Sequence, residues 1–196
     1  KMKKILATAT LIAALAAPAH AQVAGVDAAA PFDAETGIRV PAGFKSTVFA
    51  DEVGRARHMA VSESGWVYVA LRRAVDGFGA VALKDTDGDG KADVRELFAE
   101  GVTGTGMGID GGKLYYGTNT SILRWDLPAE GAPAGEAEVV VSGMEDRSQH
   151  SDKPFTFDGS GHIYVNVGAP SNACMEKMRT KGSPGMDPCP ILEDFG

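Results

Sequence analysis

The chain has little that would tie it together covalently or anchor it in a bilayer. Its 196 residues include 2 cysteines, 4 histidines and 7% aromatics. Two cysteines, Cys174 and Cys189, allow at most one bridge. Neither CxxC nor CxxCH occurs, which excludes a thioredoxin-type exchange site and covalently attached haem. Basic residues are also scarce: 19 Lys and Arg stand against 26 Asp and Glu, a net charge of −7. A polyanion repels phosphate backbones and anionic headgroups, so nucleic acid and membrane surfaces are not expected partners. The apolar run Ile5–Ala17 falls short of the roughly 20 residues that span a bilayer.

That run reads instead as part of a signal peptide. Lys1, Lys3 and Lys4 precede it and Ala19-His20-Ala21 follows it, the pattern of a secretory signal cut before Gln22. Losing Lys1, Lys3 and Lys4 with residues 1–21 takes the charge from −7 to −10. The mature protein is expected in the periplasm or outside the cell. There the two cysteines most simply form one disulfide, worth roughly 3 kcal/mol through loop entropy. Residues 22–41, rich in Ala and Pro, read as a loosely held leader.

From residue 42 onward the chain repeats itself. Trp66-Val67-Tyr68-Val69, Leu114-Tyr115-Tyr116-Gly117 and Ile163-Tyr164-Val165-Asn166 hold equivalent places, with Tyr68, Tyr115 and Tyr164 separated by 47 and 49 residues. Each follows an Asp/Ser/Gly turn, and ahead of each turn lies a short apolar strand: Met59–Val61, Met107–Ile109 and Phe155–Phe157. Further strands follow the first two units, at Ala80–Leu83 and Val94–Phe98, then at Ile122–Trp125 and Val139–Val141. Four short strands recurring at this period are the signature of a β-propeller blade. One blade cannot cover both of its own faces, so neighbours must. The fold class is therefore all-β: a partial propeller of about two to three four-stranded blades, breaking off in the third. Phe44–Phe49 suits an outermost strand, and Trp66, Tyr68, Tyr115 and Tyr164 suit blade core.

Three groups of residues carry candidate chemistry. His150 stands just ahead of the third inner strand. An unperturbed imidazole titrates near pH ~6.5 and is matched to accept a proton at neutral pH; the alternative is a surface histidine bonded to its own turn. Asp85, Asp87, Asp89, Lys91, Asp93 and Glu96, in DTDGDGKADVRE, fill the ligand positions of a calcium loop, Lys91 through its carbonyl. Strand-like flanks argue against an EF-hand, and Asp/Gly-rich runs also make ordinary turns. Arg55 and Arg57 precede the first inner strand as His150 precedes the third, which in a propeller brings them to the same end of the central channel.

The segments RHMAV, LKDTDGDGKAD, HSDKPFTFDGSGHIYVNVGAPSNAC and PGMDPCP resemble the glucose/sorbosone dehydrogenases over nearly all of Pro41–Gly196. GAPSNAC and PGMDPCP are closest to the sorbosone branch. The resemblance implies an exported six-bladed quinoprotein of which this chain is the N-terminal part. It also implies pyrroloquinoline quinone (PQQ) and calcium as cofactors, and oxidation of a sugar or sugar-derived alcohol or aldehyde. Electrons would pass from the quinone to an acceptor that the sequence leaves unspecified. His150 takes the place of the family's catalytic base. Arg55 and Arg57 suit a tricarboxylate quinone, or else pair with Asp51 or Glu52. Ser171 and Asn172 suit a cofactor- or substrate-contacting loop, or else close their own turn. The chain departs from soluble glucose dehydrogenases at Gly168-Ala169, where those carry an acidic residue that orients the histidine. Two rival readings remain at this stage: a calcium-dependent lactonase-type propeller hydrolase, and a non-catalytic binding propeller.

Overall fold

The computed structural model describes residues 32–146, 150–168, 174–177 and 180–186. The chain divides into two compact segments, Lys1–Ser46 and Thr47–Gly196. The expected signal peptide lies outside the described residues. In the first segment Asp33 accepts the N–H groups of Glu35 and Thr36 at 3.0 and 2.8 Å. With the Thr36 hydroxyl, these bonds hold its carboxyl below the usual carboxylate range. That hydroxyl also lies 2.6 Å from Ser46 Oγ, so the end of the leader is folded as a turn.

The second segment is built of antiparallel sheets, with no helix among the described residues. β1 (Ala56–Val61), β2 (Val67–Val75), β3 (Phe78–Lys84) and β4 (Val94–Glu100) form one sheet in chain order. β5 (Gly104–Asp110), β6 (Lys113–Thr118), β7 (Ile122–Asp126) and β8 (Glu138–Val141) form a second in the same order. β9 (Phe155–Phe157) and β10 (Ile163–Val165) pair as a hairpin. Every strand read from alternation between residues 59 and 166 is present. The repeat is in register as well: Tyr68 faces Ala60, Tyr115 faces Gly108 and Tyr164 faces Thr156. β5 packs on β1 and β2, and β9 packs on β5. The first strands of successive sheets thus lie side by side, as the innermost strands of a fan of sheets do.

Between the two large sheets lies the main core, with Trp66, Tyr68, Phe98, Met107, Tyr116 and Trp125 buried together. Phe98 stands edge-on to Tyr68 and Trp125, at 6.1 and 5.9 Å. Hydrogen bonds join the same faces. Three consecutive residues of the β7–β8 loop reach the first sheet. Glu130 accepts the Trp66 indole N–H at 2.7 Å, Gly131 O accepts the Tyr68 hydroxyl at 3.1 Å, and Ala132 N–H donates to Glu96 at 2.7 Å. In return the Tyr116 hydroxyl donates to Gly79 O at 2.9 Å. Burial pushes the Tyr116 phenol well above its ordinary value. Burial, with Glu130 and Glu96 nearby, pushes that of Tyr68 up to about 12.

Two expectations need correction. Phe44–Phe49 is not a strand. Ala92 N–H donates to Phe49 O at 2.7 Å, and one such bond does not make a ladder. Phe49 instead packs, with Ala50 and Val53, on the face of the first sheet that carries Val69, Leu71, Val81 and Leu83. Tyr164 is not core either. Tyr68 and Tyr115 are 0% and 7% exposed, whereas Tyr164 is 59% exposed. Each of the first two is covered by the sheet that follows it, Tyr68 by Gly131 and Tyr115 by Phe157. Among the described residues no further sheet follows β10.

Candidate active site

The loop His150–Pro154 runs into β9 at the end of the fan where β1 begins. Its backbone fits only because three positions lack side chains. A Cβ on Gly168 would strike the Cβ of His150 and stand 2.9 Å from its carbonyl oxygen. Cβ atoms on Gly106 and Gly117 would stand 2.9 and 2.6 Å from the carbonyl oxygen of Lys153. Closest approach of backbone to backbone is one of the few jobs glycine alone can do. Pro154 O accepts the Asn166 N–H at 2.8 Å and extends the β9–β10 pairing towards the loop.

His150 itself is exposed, with a left-handed φ of 50°. That conformation costs a non-glycine residue about 1 kcal/mol or more and persists where the surroundings enforce it. Two residues on, Asp152 accepts from Arg57 Nη2 at 3.3 Å and lies 3.9 Å from Arg72 Nη1. Arg57 therefore pairs with neither Asp51 nor Glu52. The backbone carbonyls of those two residues accept instead from Arg95. Arg55 is exposed, and its carbonyl oxygen accepts the Arg72 N–H at 2.9 Å. The structure thus gathers Arg57 and Arg72 beside one carboxylate, two residues from His150, with Arg55 joined to Arg72 through its backbone carbonyl.

Arg72, Asp152 and Lys153 were not among the residues singled out from sequence. A regular pairing of β1 with β2 would have placed Arg72 across from residue 56, and a register shift moves it to residue 55. The other two belong to a loop whose partner Arg57 is 95 residues away. Ser171 and Asn172 lie outside the described residues. Cys174 is not a free thiol, and its expected partner, Cys189, lies outside the described residues. An antiparallel bridge between Met175 and Gly185, with Met186 N–H on Cys174 O at 3.1 Å, brings the two arms of that loop together.

The acidic loop lies elsewhere, between β3 and β4. Carboxylate oxygens of Asp85, Asp87 and Asp89 fall within 4.8 Å of one another. Of the remaining positions of the calcium template, the side chains of Asp93 and Glu96 do not join them. Lys91 donates its N–H to Asp89 at 2.7 Å, and Asp93 binds the N–H and hydroxyl of Thr86. Glu96 is paired across β3–β4 with Ala82, so it faces the second sheet and Ala132. Asp85 already accepts from Gly90 and Gly88 at 2.8 and 2.7 Å. These bonds hold its carboxyl below the usual range.

Asp158 is likewise committed. The N–H and hydroxyl of Ser160, then His162, hold its carboxyl far below the usual range. Among the described residues no cluster of three metal-ligating side chains stands on the inner strands. Open grooves of about 690 and 720 Å³ occur at the outer strands, by Phe98 and Trp125, and at the turns Ser62–Ser64 and Asp110–Gly112. Neither is lined by the His150 loop.

Compared with curated proteins, the chain has no match. Among solved structures it is similar to the holo form of the pyranose dehydrogenase PQQ domain from Coprinopsis cinerea, at 16% identity and a TM-score of 0.54. That likeness covers 64% of this chain but only 30% of the other, so the chain spans less than a third of that neighbour's length. At such identity the match shows a shared fold. The family model described as TrAA12-like matches residues 38–184, three quarters of the sequence, and the chain belongs to the TrAA12-like family.

Proposed function

We propose that this chain is part of an exported quinoprotein dehydrogenase that oxidises a sugar or sugar-derived alcohol or aldehyde, with PQQ as electron acceptor. The observation that carries the reading is the meeting of Arg57 and Arg72 on Asp152, two residues from His150. Guanidinium groups that already hold one carboxylate suit a quinone bearing three, because the fork of N–H donors matches a carboxylate in shape and charge. Asp152 marks where such a group fits. Both arginines keep about half of their side-chain surface, 46% and 51%, open to solvent. The fold shared with a PQQ domain supports the same reading. The likeness to a pyranose dehydrogenase puts pyranoses first among candidate substrates, ahead of the aldehyde sugars of the sorbosone branch.

In this scheme Arg57 and Arg72 would bind and orient the cofactor's carboxylates, with Arg55, Ser171 and Asn172 as further candidate contacts. The bound quinone supplies the two-electron acceptor. A ring nitrogen of His150 takes the hydroxyl proton of the substrate as general base. Asp152 keeps the two guanidinium groups from repelling one another before the cofactor arrives. Calcium at Asp85, Asp87 and Asp89 belongs to the same proposal in a structural role, as do cleavage before Gln22 and a Cys174–Cys189 disulfide. The test is reconstitution with PQQ and calcium, followed by dye reduction across pyranoses, ketoses and sugar aldehydes. Quinone-dependent reduction with at least one sugar is expected. Lactone hydrolysis that needs calcium and no quinone would replace this reading with a hydrolase.

A further inference from the structure

Lys153 is the one lysine among the described residues that is fully buried, at 1% exposure. Its ammonium donates to Ser151 O at 2.7 Å, the acceptor it has among the described residues. Burying an ammonium on a single neutral carbonyl is costly, and an apolar side chain of the same length would fill the space at less expense. The cation therefore does something a methionine would not.

Its surroundings point to what that is. Backbone of Lys153 is seated on Gly106 of β5 and Gly117 of β6, and Pro154 fixes the chain beyond it and biases it towards an extended conformation. From that seat the side chain turns back to grip the carbonyl of the residue that follows His150. On the other side, His150 rests against Gly168. Two residues along from His150, Asp152 is held by two arginines of the first sheet. A histidine with a left-handed φ of 50° thus lies against a glycine and is followed by a residue whose carbonyl an ammonium holds.

We infer that Lys153 is a positioning residue for His150: its buried ammonium, through Ser151 O, holds the imidazole at the mouth of the fan. It rests on the dehydrogenase reading only for what the imidazole then does.

Lys153→Met and Lys153→Arg test it by two independent readouts. The first is the His150 ring resonance in quinone-free protein, assigned by its loss in His150→Ala. It is expected to shift or broaden in Lys153→Met and to return towards the wild-type position in Lys153→Arg. The second is steady-state dye reduction with quinone bound. There kcat is expected to fall on the order of tenfold to a hundredfold in Lys153→Met, because misplacing a reacting group by about 1 Å has that effect. KM is expected to stay within about twofold, and Lys153→Arg to recover most of the rate. An unmoved resonance in a folded Lys153→Met protein overturns the inference whatever the rate does. So does failure of both variants to fold, which would assign the ammonium to folding alone. If the wild-type protein reduces no dye with any sugar, the dehydrogenase reading falls and the resonance still decides this one.

Discussion

Tyr68, Tyr115 and Tyr164 occupy one position of the repeat, so replacing each with alanine measures the same side chain under three degrees of cover. Tyr68 is fully enclosed, edge-on to Phe98, and its hydroxyl is bonded to Gly131 O. The Tyr115 ring lies 4.8 Å from that of Phe157. Tyr164 has 59% of its surface open. A tyrosine buries roughly 150–250 Å², which at ~25 cal/mol per Å² is worth about 4–6 kcal/mol when cover is complete. Truncation of large aromatics costs about 3–5 kcal/mol in practice. Tyr68→Ala is expected to cost about 4 kcal/mol, the lost hydroxyl bond included, and Tyr115→Ala about 3 kcal/mol. Tyr164→Ala, which loses only partial cover, is expected to cost at most about 1.5 kcal/mol. Urea unfolding followed by tryptophan fluorescence measures all three, since Trp66 and Trp125 are both buried in the main core. The comparison is of midpoints at constant slope. A Tyr164→Ala cost equal to that of Tyr115→Ala would refute the picture of cover supplied by the following sheet. So would a Tyr68→Ala cost below about 1 kcal/mol.

Stability should also fall in alkali. The Tyr68 phenol is raised to about 12, so its contribution is complete below the unfolded value of about 10 and is lost as pH rises towards 12. Thermal midpoints from pH 9 to 12 are expected to decline less in Tyr68→Phe than in wild type, and parallel curves would contradict this. Gly117→Ala puts a Cβ 2.6 Å from Lys153 O. It is expected to cost about 1–3 kcal/mol by overpacking and to move the His150 ring resonance, and an unchanged spectrum would show that the loop is not seated there. Calcium at a hundredfold excess over its dissociation constant is expected to stabilise the protein by about 2.7 kcal/mol. Asp87→Ala should abolish that gain, and a chelator that leaves the thermal midpoint unmoved would remove calcium from the proposal.

Ten strands could be read from alternation and turn chemistry because both are local. Their register also followed from the repeated tyrosines. What sequence could not supply was anything set by a neighbour. Tyr164 shares the pattern of Tyr68, yet whether it is buried depends on which sheet follows it. Glu96 completes a calcium template along the chain. Its placement opposite Ala82 in β4, however, commits it to the sheet face, where it meets Ala132. His150 stood out because a histidine ahead of an inner strand is a recognisable pattern. The residues that hold it did not. Lys153 looks like any loop lysine until two glycines, more than thirty residues upstream, are found beneath its backbone. Asp152 and Arg57 carry no local signal of their pairing.

The most direct measurement sets His150→Ala beside wild type, with PQQ binding followed by absorbance and sugar oxidation by dye reduction in the same preparation. Quinone binding within about threefold of wild type, together with a loss of turnover on the order of a hundredfold or more, is the expected result. Turnover that survives the substitution at close to the wild-type rate would contradict the assignment of the proton-accepting role to the imidazole at the mouth of the fan.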